Sequence, residues 1–61
     1  MEKLKNLINV LVDEPTNENK KTLINETWLW LVHEYDRTNH DHVVLLTVIK
    51  NAIILADQNL D

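Results

Sequence analysis

The stretch VVLLTVIKNAIILA, residues 43–56, decides the fold, because its first half reads either as a β-strand or as the start of a long helix. Val and Ile favour strands. A strand over VVLLTVI would have no partner, however, since no second β-like run and no hairpin turn occurs elsewhere in the 61 residues. On a wheel of about 100° per residue the same residues share a face, with Leu45, Ile49, Ala52, Ile53 and Ala56 at its centre. Leu46 extends the apolar arc on one side and Val44, Val48 and Leu55 extend it on the other, to about 200° in all. The stretch therefore predicts a helix.

That arc is wider than the stripe of about 100° that a helix on one side of a small bundle requires. The surplus predicts either a central helix that touches a neighbour with each edge, or a helix whose outer edge meets a second copy of the chain. A 61-residue chain buries only about 60% of the surface its unfolded form exposes, so self-association would add burial that one core lacks. The expected contact is a twofold homodimer through Val44, Val48 and Leu55, with Ala52 and Ala56 permitting close approach unless they simply pack in the core.

Two further segments have helical period. In the first, Leu4, Leu7, Ile8 and Leu11 follow the i, i+3, i+4, i+7 pattern, giving a helix over about 2–13 that breaks at Pro15. The second begins with Thr16 or Asn17 as N-cap and Glu18 in its first turn. It places Ile24, Thr27, Trp28, Leu31 and Tyr35 inward, with Leu23, Trp30 and Val32 at the edges, and should reach Arg37. Thr38 with Asp41 three residues later resembles a capping box for the third helix. The connection is then very short, and short connections make antiparallel hairpins. The predicted fold is all-α: a single three-helix domain over 1–61, with a long antiparallel hairpin of about 17–37 and 39–59 and a shorter N-terminal helix laid across it.

Composition narrows the function. Glycine, serine, cysteine and phenylalanine are absent, which removes the usual phosphate-cradling loops, the common nucleophiles, disulfides and thiolate metal sites. So short a chain also cannot enclose a substrate pocket of about 300 Å³ or more. No enzyme activity and no cofactor are expected. Ten Asp plus Glu against six Lys plus Arg give a net charge of −4, which repels nucleic acid and anionic membrane alike. The start, MEKLKNLINVLV, has neither the apolar length nor the cleavage site of a signal peptide. The apolar run from residue 43 to 56 falls short of the roughly 20 residues of a membrane span. A cytoplasmic location is expected. Eight asparagines, five lysines and five isoleucines against two alanines fit the AT-rich coding of a low-GC bacterium or a phage.

HEYDRTNHDH, residues 33–42, concentrates three histidines and three carboxylates. On the predicted helices most of these become turn and cap residues. Neutral imidazoles and Asp36 would suit zinc, but nothing in the spacing brings the three rings together, and no metal site is assigned. WLW, residues 28–30, is more distinctive. The wheel turns Leu29 outward beside Trp30, with Glu26, His33 and Arg37 on the same strip and Glu34 on the rim. Trp and Arg are enriched at binding hot spots.

These residues predict a small acidic protein–protein interaction module, a regulator or inhibitor that occupies the surface of a larger protein. A dimeric DNA-binding regulator is the first alternative; it would rely on Lys50, Asn51 and Gln58 and is disfavoured by the charge balance. A His/Asp metal-binding protein is the second.

Overall fold

A computed structural model describes residues 2–60 and contains three helices: α1 (Glu2–Asp13), α2 (Asn17–His33) and α3 (His40–Leu60). Every pair of helices packs together and no strand occurs among the described residues, so the chain is a small all-α bundle. VVLLTVI lies within the unbroken α3. Lys3 pairs with Glu26, and Lys20 with Asp57. These pairs join the start of each helix to the later part of the next, as antiparallel neighbours require.

The turn before α2 follows the local signals. Thr16 is extended (φ −105°, ψ 160°), and its Oγ1 accepts the Asn19 N–H at 3.1 Å. The Asn19 amide then donates to the Glu14 carbonyl at 2.8 Å, which fastens the new helix to the end of the old one.

The core joins Leu4, Ile8 and Leu11 of α1, Leu23 and Trp30 of α2, and Leu45, Ile49, Ala52 and Ala56 of α3. This arrangement corrects two sequence expectations. Ala52 and Ala56 are buried against α1 and α2, because they lie at the middle of the α3 arc; only Val44, Val48 and Leu55 of the expected dimer contacts face outward. The second correction concerns the rotation of α2. Leu23, Thr27 and Trp30 are buried, while Trp28 is 63% exposed. The wheel centres the inner face on Ile24 and Leu31, but both are only half-buried and form one flank of the buried arc. The opposite flank, with Glu26 and His33, borders α1, so the buried arc falls between the two.

The hairpin corner differs as well. α2 ends at His33 rather than near Arg37, and residues 34–39 connect it to α3. The Trp30 carbonyl accepts the N–H of both Glu34 (2.8 Å) and Tyr35 (2.9 Å), closing the helix. The Asp36 N–H, which a continuing helix would give to Val32, goes instead to Nδ1 of His42 at 3.0 Å. Asp36 Oδ1 accepts from both the backbone N–H (2.9 Å) and the hydroxyl (2.6 Å) of Thr38. Thr38 is thus held by Asp36 and forms no capping box with Asp41. Asn39 caps α3, its side-chain oxygen accepting the Asp41 N–H at 3.0 Å.

Candidate interaction surfaces

The first surface is a groove of about 220 Å³ between α1 and α2, lined by Lys3 and Leu4 on one side and Glu26, Leu29, Trp30, His33 and Glu34 on the other. Five of the six residues expected to bind a partner therefore converge, and Arg37 alone stands apart, in the connection between α2 and α3. Their roles differ from the expectation. Leu29 is 54% exposed and His33 and Glu34 are exposed, but Trp30 is only 5% exposed and belongs to the core. The Trp30 indole, expected on the outer strip, is thus unavailable as an anchor. Lys3 bridges the groove to Glu26 at 3.2 Å.

Trp30 is fixed by an aromatic corner. Tyr35 meets it edge-on with ring centres 5.2 Å apart, and His42 does so at 5.4 Å. Tyr35 and His42 stack at 6.3 Å. The Trp30 indole N–H has no hydrogen-bond partner among the described residues. His42 Nδ1 serves as the acceptor of the Asp36 N–H, which fixes the orientation of the ring. The hydrogen bonds from the Thr38 hydroxyl and backbone N–H hold the Asp36 carboxyl below the usual carboxylate range.

The second surface is the outward side of α2. Trp28 and Val32 lie one turn apart at 63% and 70% exposure, and Leu29 flanks them. The helical wheel turns Trp28 inward and sets Val32 at an edge, so neither is among the expected partner contacts.

The third surface runs along α3. A groove of about 510 Å³ lies between α1 and α3, lined by Lys5, Ile8 and Asn9 of α1 and by Asp41, Val44, Leu45 and Val48 of α3. Beyond it on the same side, Leu55 protrudes at 57% exposure.

Among the described residues no three His, Asp or Glu side chains are grouped so as to hold a metal ion. His33 borders the α1–α2 groove while His42 is engaged in the aromatic corner, which separates the imidazoles that the sequence crowds together. α3 is 21 residues long and holds an 18-residue window of mean hydropathy 1.5, enough by length and composition to cross a membrane. The apolar run of residues 43–56 is itself short of a span, and the polar His40–His42 and Asp57–Asn59 supply the remaining length. The midpoint of α3 is Lys50, whose charge would cost about 2.5–3.5 kcal/mol at the centre of a bilayer. Its Leu45, Ile49, Ala52 and Ala56 stripe is occupied by the other two helices.

Comparison of the chain with protein-family models, with curated proteins and with solved structures finds no match.

Proposed function

We propose that this chain is a small acidic protein–protein interaction module, a cytoplasmic regulator or inhibitor that docks on a larger protein and blocks part of its surface, and that it acts as a homodimer. The observation that carries this reading is the apolar patch of Trp28, Leu29 and Val32 on the solvent side of α2. Scattered exposed leucines are ordinary. A tryptophan, a leucine and a valine on one helix face, each more than half exposed, form instead the kind of anchor cluster an amphipathic helix lays into a partner's groove. His33 and Glu34 stand near Leu29 as a polar rim. The net charge of −4 favours a partner whose docking surface is basic, which makes association faster at low salt.

The test is affinity capture from the native host with the wild-type chain and with a Trp28→Ala/Leu29→Ala variant of unchanged helicity. A specific protein retained by the wild type, lost by the variant and weakened by salt is the expected result. The same captured proteins with both chains would refute the role of this patch.

A further inference from the structure

We propose that two copies of this chain associate about a twofold axis with their α3 helices antiparallel, Leu55 of each copy entering the α1–α3 groove of the other. The proposal deepens the homodimer reading above and rests on it for self-association alone.

The spacing of the residues supplies the first support. Val44, Val48, Asn51 and Leu55 follow one another at intervals of four, three and four, the repeat of a coiled-coil seam. They fall within an arc of about 60° on the wheel, and all four are exposed. They border the buried stripe without belonging to it.

Shape is the second. The groove flanked by Val44 and Val48 is a hole of about 510 Å³, and Leu55 is a knob two to three turns further along the same face. A twofold interface has to be self-complementary. An antiparallel alignment centred between Val48 and Asn51 makes it so, since it sets Leu55 against the other copy's Val44 and Asn51 against the other copy's Val48. The hole of each copy then receives the knob of its mate. The two Asn51 side chains come about 4.5 Å apart along the axis at 1.5 Å per residue, near enough for their amides to bond to each other and set the register.

Charge identifies the occupant as a second copy. Each copy carries a net charge of −4, so two copies meet with least repulsion on a face without carboxylates. Between residues 43 and 56 the only charged side chain is Lys50, about 135° round the helix from the seam. Asp41, at the seam's beginning, falls opposite the neutral Gln58 of the other copy. A parallel alignment would instead bring Asp41 against Asp41 and align like helix dipoles.

Area agrees. A compact chain of 7.2 kDa should expose about 4,100 Å², and this one exposes 4483 Å², with eleven large apolar residues at least 36% exposed against nine apolar residues buried. Many apolar side chains are thus left uncovered by the bundle. A stable interface takes about 800 Å² per partner, which only a long face of the 35 × 16 × 16 Å body can offer. The α3 seam runs along such a face.

The chain has no cysteine, so engineered cysteines report contacts cleanly. A Val44→Cys/Leu55→Cys variant should form a covalent dimer on mild oxidation, whereas either single variant should not. In the proposed register the two copies of one such residue lie about 16 Å apart along the axis, well beyond the Cα separation of about 4.4–6.8 Å that a disulfide spans. Leu55→Glu, with helicity checked by circular dichroism, should raise the dimer dissociation constant about 1,000-fold, because a lost anchor acts twice in a twofold interface. Cross-linking by Val44→Cys alone would overturn the antiparallel geometry. A wild-type dimer that neither cross-links through the cysteine pair nor responds to Leu55→Glu would overturn this surface and leave self-association standing. A wild-type monomer in sedimentation at high micromolar concentration would overturn the proposal and the homodimer reading together, while leaving the α2 patch to its own test.

Discussion

Trp28 and Trp30 are two residues apart, yet alanine substitution should affect them very differently. Trp30 is 5% exposed and makes edge-on contacts with Tyr35 and His42; Trp28 is 63% exposed. Replacing a buried tryptophan by alanine costs about 3–5 kcal/mol in lost transfer energy and cavity. A 61-residue domain has a total stability of about 3–9 kcal/mol, so Trp30→Ala should remove from about a third to all of it. Trp28→Ala should change the unfolding free energy by no more than about 0.5 kcal/mol, as for other surface changes. Trp30→Phe is the informative intermediate. It keeps an aromatic ring against Tyr35 and His42, and it removes an indole N–H that has no partner, a burden of about 1–3 kcal/mol. The lost ring volume and the relieved donor oppose each other, and the net loss should stay below about 2 kcal/mol. Urea unfolding followed by circular dichroism measures all three. Fluorescence adds a second readout: with Trp28→Phe the remaining indole should shift strongly to the red on unfolding, whereas with Trp30→Phe it should scarcely shift. Equal destabilisation by Trp28→Ala and Trp30→Ala would mean that α2 is rotated as the helical wheel alone suggests, and the core described above would be wrong.

Other predictions concern the ends of the helices. Thr16→Ala removes the side-chain acceptor of the Asn19 N–H and should cost about 1 kcal/mol in urea unfolding, with Thr16→Ser close to wild type. His42→Ala removes the ring between Trp30 and Tyr35 and the acceptor of the Asp36 N–H; a loss of about 1–3 kcal/mol is expected, with amide exchange accelerated first over residues 34–39. The Asp36 carboxyl has its affinity for protons lowered in the folded state by Thr38, so its contribution to stability is complete above the ordinary carboxylate range and disappears as pH falls through the folded value. Thermal melts on the acid side should therefore become less pH-dependent with Asp36→Asn, and an unchanged slope would show that this turn does not hold in solution.

Much of the fold follows from local chemistry. Pro15 and Thr16 are sufficient to end α1 and start α2, since one blocks helical geometry before it and the other supplies the missing acceptor. The aliphatic period of α3 outweighs the strand preference of its valines because a lone strand has nothing to pair with. The end of α2 is different in kind. The sequence around Tyr35 permits more helix, and what stops it is the Asp36 N–H turning to His42, six residues away, together with three rings closing on one another. No local pattern encodes that contact. The rotation of α2 was hidden for a related reason. Leu23, Ile24, Trp28, Leu29, Trp30, Leu31 and Val32 encircle the helix, so its inner face is chosen by α1 and α3 rather than by its own period. The outward position of Leu29 and His33 could be read from the wheel, but the exchange of roles between the two tryptophans could not.

This surplus of apolar residues also bears on how the surfaces divide their work. α2 and α3 each carry more apolar residues than one core of this size can cover, and the excess emerges on two different faces with different electrical surroundings. The seam of α3 from residue 43 to 56 has no carboxylate and suits a second acidic copy. The patch of Trp28, Leu29 and Val32 has the exposed Glu34 just past the end of its helix and suits a basic partner. If the two faces act separately, Leu55→Glu should abolish dimerisation without altering the intrinsic affinity of one chain for its target, and Trp28→Ala should do the reverse. Their free-energy effects should then add within about 0.5 kcal/mol, as they do for sites without shared contacts. Sedimentation of the free chain and titration calorimetry of the captured complex measure the two quantities independently. Strong non-additivity would mean that dimerisation builds or masks the docking surface, and that the two faces form one site.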